Sequence, residues 1–410
     1  MSWQKEVDEI GKRKKLAEAM GGPEKLKKQK ADGKLNARER IAGLVDKGSF
    51  REIGQLGGAA TYDAKGDLKS FLPSNMLFGR AKIEGRPVVV QSDDFTVRGG
   101  AADAAIHEKL VQSEKLAGEY RMPLVRMIEG TGGGGSVKTL ETMGFTYVPE
   151  VPGWDLMVDN LSLIPVVALG LGPVAGLGAG RLVMSHYSLL VKGLSQLFVA
   201  GPPVVAAVGE KRTKEELGGS HIHAKNGAID DEAASEAEAF AMARTFLSYL
   251  PSSIHELPER KPTRDKPDRR EQFLIEAVPR DLRHLYKIRP IIEAVVDQGS
   301  FFEIGRQHGP SIVTGFARID GYPVGIMASD PMVLGGLWHG ASWSFVAWGG
   351  LHGLYLAVER WLRGRFAGYR PGTLALFMLA LLTWTLVNIT WVFFRAKGFE
   401  HAGTVLGGMF

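Results

Sequence analysis

The chain has 410 residues, a formal net charge of +5, 45% hydrophobic and 23% charged residues, and no cysteine. This length allows two or three domains with ordinary globular cores, and the missing cysteine excludes disulfides and thiolate zinc sites and suits a reducing compartment. The charge is uneven: Val333–Phe410 holds six Lys/Arg and two acids, leaving about +1 for the first 332 residues, which argues against a nucleic-acid-binding body.

In chain order, "MSWQKEVDEIGKRKK" is charged throughout and has no apolar stretch, which argues against a secretory signal and for a cytoplasmic body. Residues 1–36 predict an amphipathic, lysine-rich helical arm. Across residues 37–256 apolar runs alternate with Gly-rich turns and helical patterns. "RPVVVQSDDFTV", "MPLVRMIEG" and "IPVVALGLG" predict buried strands; "DAAIHEKLVQSEKLAGEY" and "DEAASEAEAFAMARTFLSYL" predict helices. Strands alternating with helices predict an α/β domain. Residues 257–284, which include the charged, proline-bearing "LPERKPTRDKPDRREQ", predict a linker.

An internal repeat follows. "IAGLVDKGSFREIG" (Ile41–Gly54) returns as "IIEAVVDQGSFFEIG" (Ile291–Gly305), and "AKIEGRPVVVQSDD" (Ala81–Asp94) returns as "ARIDGYPVGIMASD" (Ala317–Asp330). The spacing is too long for a solenoid, so residues 285–331 predict the start of a second copy of the first domain. Residues 332–410 differ in kind. Val333–Val358 has no Asp, Glu, Lys or Arg, and Leu374–Phe394 is 21 residues without a charge, which predicts an apolar helical tail able to touch or span a membrane. If Val333–Val358 also spanned, the arginines of Glu359–Arg370 would face outward, against the positive-inside tendency.

Three glycine or histidine patterns carry candidate chemistry. "EGTGGGGSVKT" (Glu129–Thr139) follows a strand; it reads as a flexible turn, or as converging backbone N–H groups for an anion or oxyanion. It misses the P-loop pattern, because Val137 stands where glycine is needed. "GLGPVAG" (Gly170–Gly176) fits a dinucleotide fingerprint, but Leu161–Gly209 contains no Asp or Glu for a ribose, so a tight turn packing strand on helix is the better account. His221 and His223 stand in a predicted loop without a third ligand, so no metal site is expected. No G-x-S-x-G elbow and no evident side-chain nucleophile is present.

"GKLNARERIAGLVDKGSFREIG", "SDDFTVRGGA", "GPP" with "TKEELGG" (Gly201–Gly219) and "VTGFARIDGYPVGIMASDP" together resemble the carboxyltransferase subunit of biotin-dependent acyl-CoA carboxylases. The resemblance implies a crotonase-like fold in each of two halves. It implies transfer of a carboxyl group from carboxybiotin, borne by a partner carrier or biotin carboxylase subunit, to the α-carbon of an acyl-CoA. Charge then builds on an enolate oxygen and on the biotin ureido, and both suit backbone N–H donors that glycine brings close. By the resemblance, Gly132, Gly133 and Gly134 match an oxyanion loop. Phe95, Gly99, Gly100 and Ala101 match an acyl-CoA segment, and Gly172 and Gly176 match a second glycine turn. His223 matches a family histidine without an assigned role. No metal is implied, and a homo-oligomer is. Since only Leu285–Asp330 of the second half is present, acyl-CoA binding with little carboxyl transfer is expected.

"MVLGGLWHGASWSFVAWGGLHGLYLAVERW" is similar to the membrane-bound O-acyltransferase family, alginate O-acetylase branch. That similarity implies His339 as general base and a junction of two families near Met332. The alternatives to a carboxyltransferase are therefore an O-acyltransferase fragment and a non-catalytic CoA-binding protein.

Overall fold

The computed structural model describes residues 2–100, 106–130, 144, 153–263, 265–266, 268–281, 284–333, 355, 358, 365 and 372–395. The arm is two helices, Gln4–Glu18 and Pro23–Ala31. A third, Ala37–Leu44, starts where Asn36 accepts from the N–H groups of Arg38 and Glu39 while the Glu39 carboxylate returns to the Asn36 N–H. This reciprocal cap satisfies otherwise unpaired first-turn donors.

Thirteen described strands follow: β1 (Arg51–Ile53), β2 (Gly58–Tyr62), β3 (Leu68–Pro73), β4 (Met76–Ile83), β5 (Arg86–Asp93), β6 (Leu124–Gly130), β7 (Val166–Ala175), β8 (Tyr187–Val191), β9 (Gln196–Phe198), β10 (Asp231–Ala233), β11 (Phe302–Ile304), β12 (Ile312–Ile319) and β13 (Tyr322–Ser329). The main sheet has the order β1-β4-β5-β6-β7-β8-β10, and β9 pairs with the far end of β7. It is antiparallel from β1 to β5 and parallel from β5 to β10. Every residue of β6 and β8 is buried, as expected for parallel strands covered by helices on both faces. Alternation along the strands decides the face. Val88, Val90, Val125, Met127, Val167 and Leu169 share a core with Ile41 and Leu44 of Ala37–Leu44 and with Phe240 and Leu247 of the helix Glu236–Ser248. The residues between them point the other way: Val89, Leu124 and Val166 meet Ala117 of the helix His107–Glu119, and Ala168 and Leu190 meet Leu182 and Ala224.

Three local expectations are corrected. "GLGPVAG" is not a turn: Gly170–Ala175 continue β7, and the chain turns only at Gly176, which has φ +59°. The glycines serve lateral packing, since a Cβ on Gly170 would stand 2.4 Å from the Leu190 side chain. His221 and His223 are in the helix Ser220–Asn226 rather than a loop. The helix expected from Asp231 begins at Glu236, where the Ser235 hydroxyl accepts from the Glu238 N–H, and Asp231–Ala233 is instead β10.

The repeat is conserved as hydrogen bonding. The Asp46 carboxylate accepts from the N–H groups of Glu84 and Gly85 at 3.0 and 2.8 Å; Asp297 accepts from Asp320 and Gly321 at 2.9 and 2.7 Å. The Ser49 hydroxyl accepts from Lys82 N–H and the Ser300 hydroxyl from Arg318 N–H, both at 3.0 Å. Arg38 pairs with Glu52 at 2.8 Å, and Arg289 with Glu303 at 2.6 Å. β1 crosses β4 in the register with which β11 crosses β12, Arg51 opposite Arg80 and Phe302 opposite Phe316.

Met1–Ala277 and Ile288–Ser329 form one compact unit; Val278–Lys287 and Asp330–Phe410 form a second. In the second, Thr373–Arg395 is a 23-residue helix whose side chains are described in part. Thr383 and Thr385 turn their hydroxyls back to the carbonyls of Leu379 and Leu381 at 2.8 and 2.9 Å. Among the described residues no helix is long and apolar enough to cross a membrane. The spanning tail expected from Leu374–Phe394 thus has no support among the described residues.

Candidate functional site

The parallel strands β5, β6 and β7 end together, and in such sheets ligands bind beyond the carboxyl ends of the strands. After β5 the chain turns through Phe95 and Arg98–Gly100, with φ +56°, +63° and +69° at Arg98, Gly99 and Gly100. Glycine suits the last two because L side chains rarely adopt that region. This turn lies directly on the end of β6: a Cβ on Gly100 would stand 3.0 Å from Gly130 Cα and 3.1 Å from Glu129 O, and one on Gly130 would stand 3.1 Å from Gly100 Cα. Gly178, just after the Gly176 turn, faces the Gly130 carbonyl, where a Cβ would be 3.3 Å from the oxygen.

Beneath this glycine backbone lies a buried charge network. Glu129, the penultimate residue of β6, meets Arg40 Nη1 at 2.6 Å and Lys34 Nζ at 2.7 Å. Arg40 is fully buried; its Nε meets Glu236 at 2.7 Å and its Nη2 donates to the Leu171 carbonyl at 2.6 Å. Arg181 holds Asp93 at 3.1 Å. Three cations thus face three carboxylates, which is the condition for burying so many charges. Burial still raises the Asp93 carboxyl above its ordinary value, with Arg181 opposing. Lys34 also sits 5.3 Å from the centre of the Phe95 ring, so the arm reaches over the turn. Gly172 makes room for the network: a Cβ there would stand 2.4 Å from the Glu129 carboxylate. Two buried polar atoms nearby, Ser92 Oγ and Asp94 Oδ2, have no hydrogen-bond partner among the described residues, and burial raises the Asp94 carboxyl. Orphaned buried polar atoms are rare and point to a ligand or water.

Of the residues expected from sequence, Phe95, Gly99, Gly100 and Gly172 are brought together around Glu129–Gly130, and Gly176 opens the neighbouring helix. Gly132, Gly133, Gly134, Ala101 and His339 lie outside the described residues. His223 stands apart, its Nε2 2.8 Å from the Leu197 carbonyl. Among the described residues no three His, Cys, Asp or Glu side chains group as a metal site. Sequence reasoning missed Lys34, Arg40, Asp93, Glu129, Arg181 and Glu236. One signal was available: Glu129 ends a run that is otherwise apolar but for Arg126, and a charge in a buried strand requires a partner.

A carboxyl transferase domain model matches residues 28–344. The chain is 31% identical over 332 residues to the propionyl-CoA carboxylase beta chain of Roseobacter denitrificans, covering 80% of this chain and 64% of that one. It is 31% identical over 339 residues to the methylmalonyl-CoA decarboxylase subunit alpha of Veillonella parvula, covering 81% and 65%. The solved structure of transcarboxylase 12S with methylmalonyl-coenzyme A and methylmalonic acid bound matches with a TM-score of 0.69 and 29% identity, over 81% of this chain and 64% of that one. The chain therefore spans just under two thirds of the length of these relatives. The family match runs past Met332 to residue 344 and gives no support to a junction there or to the O-acyltransferase reading of the tail. With the duplicated framework and the glycine-lined strand ends agreeing, the chain belongs to the carboxyltransferase family of propionyl-CoA carboxylase type.

Proposed function

We propose that this chain binds a short acyl-CoA at the ends of β5–β7 and acts as a carboxyltransferase on its α-carbon. The observation that carries this reading is the apposition of the Gly100 and Gly130 backbones beside Phe95. That is where the family resemblance puts the acyl-CoA segment, and nearby on the chain Ser92 Oγ and Asp94 Oδ2 find no partner among the described residues. Close backbone approach lets peptide N–H groups meet a thioester oxygen as it gains enolate charge, with no side-chain nucleophile. In this reading Gly132, Gly133 and Gly134 hold that oxygen, Phe95, Gly99, Gly100 and Ala101 seat the CoA, and Gly172 and Gly176 shape the acyl side. The charge-balanced network is positioning machinery: it fixes the end of β6, from which the glycine run departs.

Carboxybiotin enters this reading as a substrate on a partner carrier. A methylmalonyl-type acyl-CoA and an oligomeric core are proposed from transcarboxylase 12S, a hexamer solved with methylmalonyl-coenzyme A bound. The test is calorimetric titration of the full chain with propionyl-CoA. Binding is expected, with a loss of about tenfold or more in Gly100→Val, whose side chain must enter the Gly130 backbone. Equal binding by the variant would remove the site from this place.

A further inference from the structure

β1, β4 and the helix His107–Glu119 line an open groove with a volume of about 320 Å³. Ile53, Phe78, Ile106 and Leu116 give it apolar walls, and Lys109 lines it with Glu108 and Glu119. Lys109 is 6% exposed, and its Nζ donates to the Met76 carbonyl at 2.8 Å. Its stem passes over two glycines: a Cβ on Gly54 would stand 3.1 Å from Lys109 Cε and one on Gly57 3.6 Å. Among the described residues Lys109 makes no ion pair, because the facing carboxylate, Glu52, is held by Arg38 at 2.8 Å. A buried ammonium without a counter-charge is costly and tends to lose its proton. Burial lowers the Lys109 amine to about 8, with Glu52 raising it and Arg38 lowering it.

We propose that this groove binds a short-chain monocarboxylate, its carboxylate paired with Lys109 Nζ and its alkyl chain lying on Ile53, Phe78, Ile106 and Leu116. A ligand carboxylate supplies the direct ion pair that Glu52, held by Arg38, does not make, and the apolar walls take a hydrocarbon body. The site is separate from the proposed acyl-CoA site and does not depend on it.

The test is calorimetric titration of the full chain with sodium hexanoate, hexanamide and hexylamine. At pH 7 hexanoate binds about tenfold or more tighter than either analogue, the factor of one lost charge pair. Lys109→Met removes that preference. Leu116→Trp, which fills the groove and leaves the amine in place, removes binding altogether, so the proposal stays testable if Lys109→Met does not fold. Hexanoate pairs as the carboxylate with the ammonium form, so its affinity is level between about pH 6 and pH 8 and falls on either side. Equal binding of hexanoate and hexanamide, no binding of hexanoate to the unmodified chain, or undiminished hexanoate binding by either variant would overturn the proposal.

Discussion

Glu129 is the residue on which the described site turns, because a fully buried arginine, Arg40, and a mostly buried lysine, Lys34, depend on it. Removing one partner of such a group leaves uncompensated buried charge. Glu129→Ala is expected to lower stability by about 3–5 kcal/mol, measured by urea unfolding at pH 7, and Glu129→Gln by less because the amide oxygen still accepts. A loss under about 1 kcal/mol in Glu129→Ala would show that the network contributes little. A second residue gives a pH signature. Asp231 is raised to about 6, chiefly by burial, with the Tyr187 hydroxyl donating to it at 2.9 Å. The folded chain therefore binds this proton more tightly than the unfolded one. The contribution is intact below the ordinary carboxyl value near 4 and is lost as pH rises through about 6. Asp231→Asn keeps an acceptor for Tyr187 and is expected to raise stability by about 2–3 kcal/mol at pH 7.5 but not at pH 4; thermal unfolding at both values checks this. Neither residue's role was legible in sequence, since the partners of Glu129 lie 89 and 95 positions away and Tyr187 lies 44 from Asp231.

Among the elements, the strands that carry the repeat were legible and their glycines only half so. Gly79 in β4 and Gly315 in β12 are equivalent: a Cβ would stand 2.1 Å from the Arg51 carbonyl oxygen in the first and 2.2 Å from that of Phe302 in the second. Each lets a short edge strand lie close, and forcing atoms into packed structure costs about 1–3 kcal/mol or more. Gly79→Ala is expected to lower the unfolding midpoint, and amide exchange should speed up first in Arg51–Ile53. Unchanged protection there would mean that β1 does not need the glycine. The predicted strands at Arg86, Leu124 and Val166 and the helices around His107 and Glu236 were readable because apolar period and burial coincide. "GLGPVAG" misled because glycine signals a turn locally, whereas here it answers to neighbouring side chains, Leu190 and Glu129, that no local pattern contains.

For the whole molecule, the described side chains of the second unit include large exposed apolar ones. On Thr373–Arg395, Leu374 is 77%, Phe377 64% and Trp384 65% exposed. Continuous exposed apolar surface of this kind favours association. The full chain is expected to self-associate as concentration rises in sedimentation velocity, and a monodisperse monomer across the range would contradict this. The sequence by itself determined the α/β pattern, the duplication and the family, because these are written in short-range periodicity and in a repeated string of residues. Tertiary structure alone decided that Phe95, Gly100, Gly130 and Gly172 meet, that six charges from the arm, two strands and three helices neutralise one another beneath them, and that Lys109 lines an open groove. Those are distances between segments far apart in the chain, and only the closed sheet with its covering helices sets them.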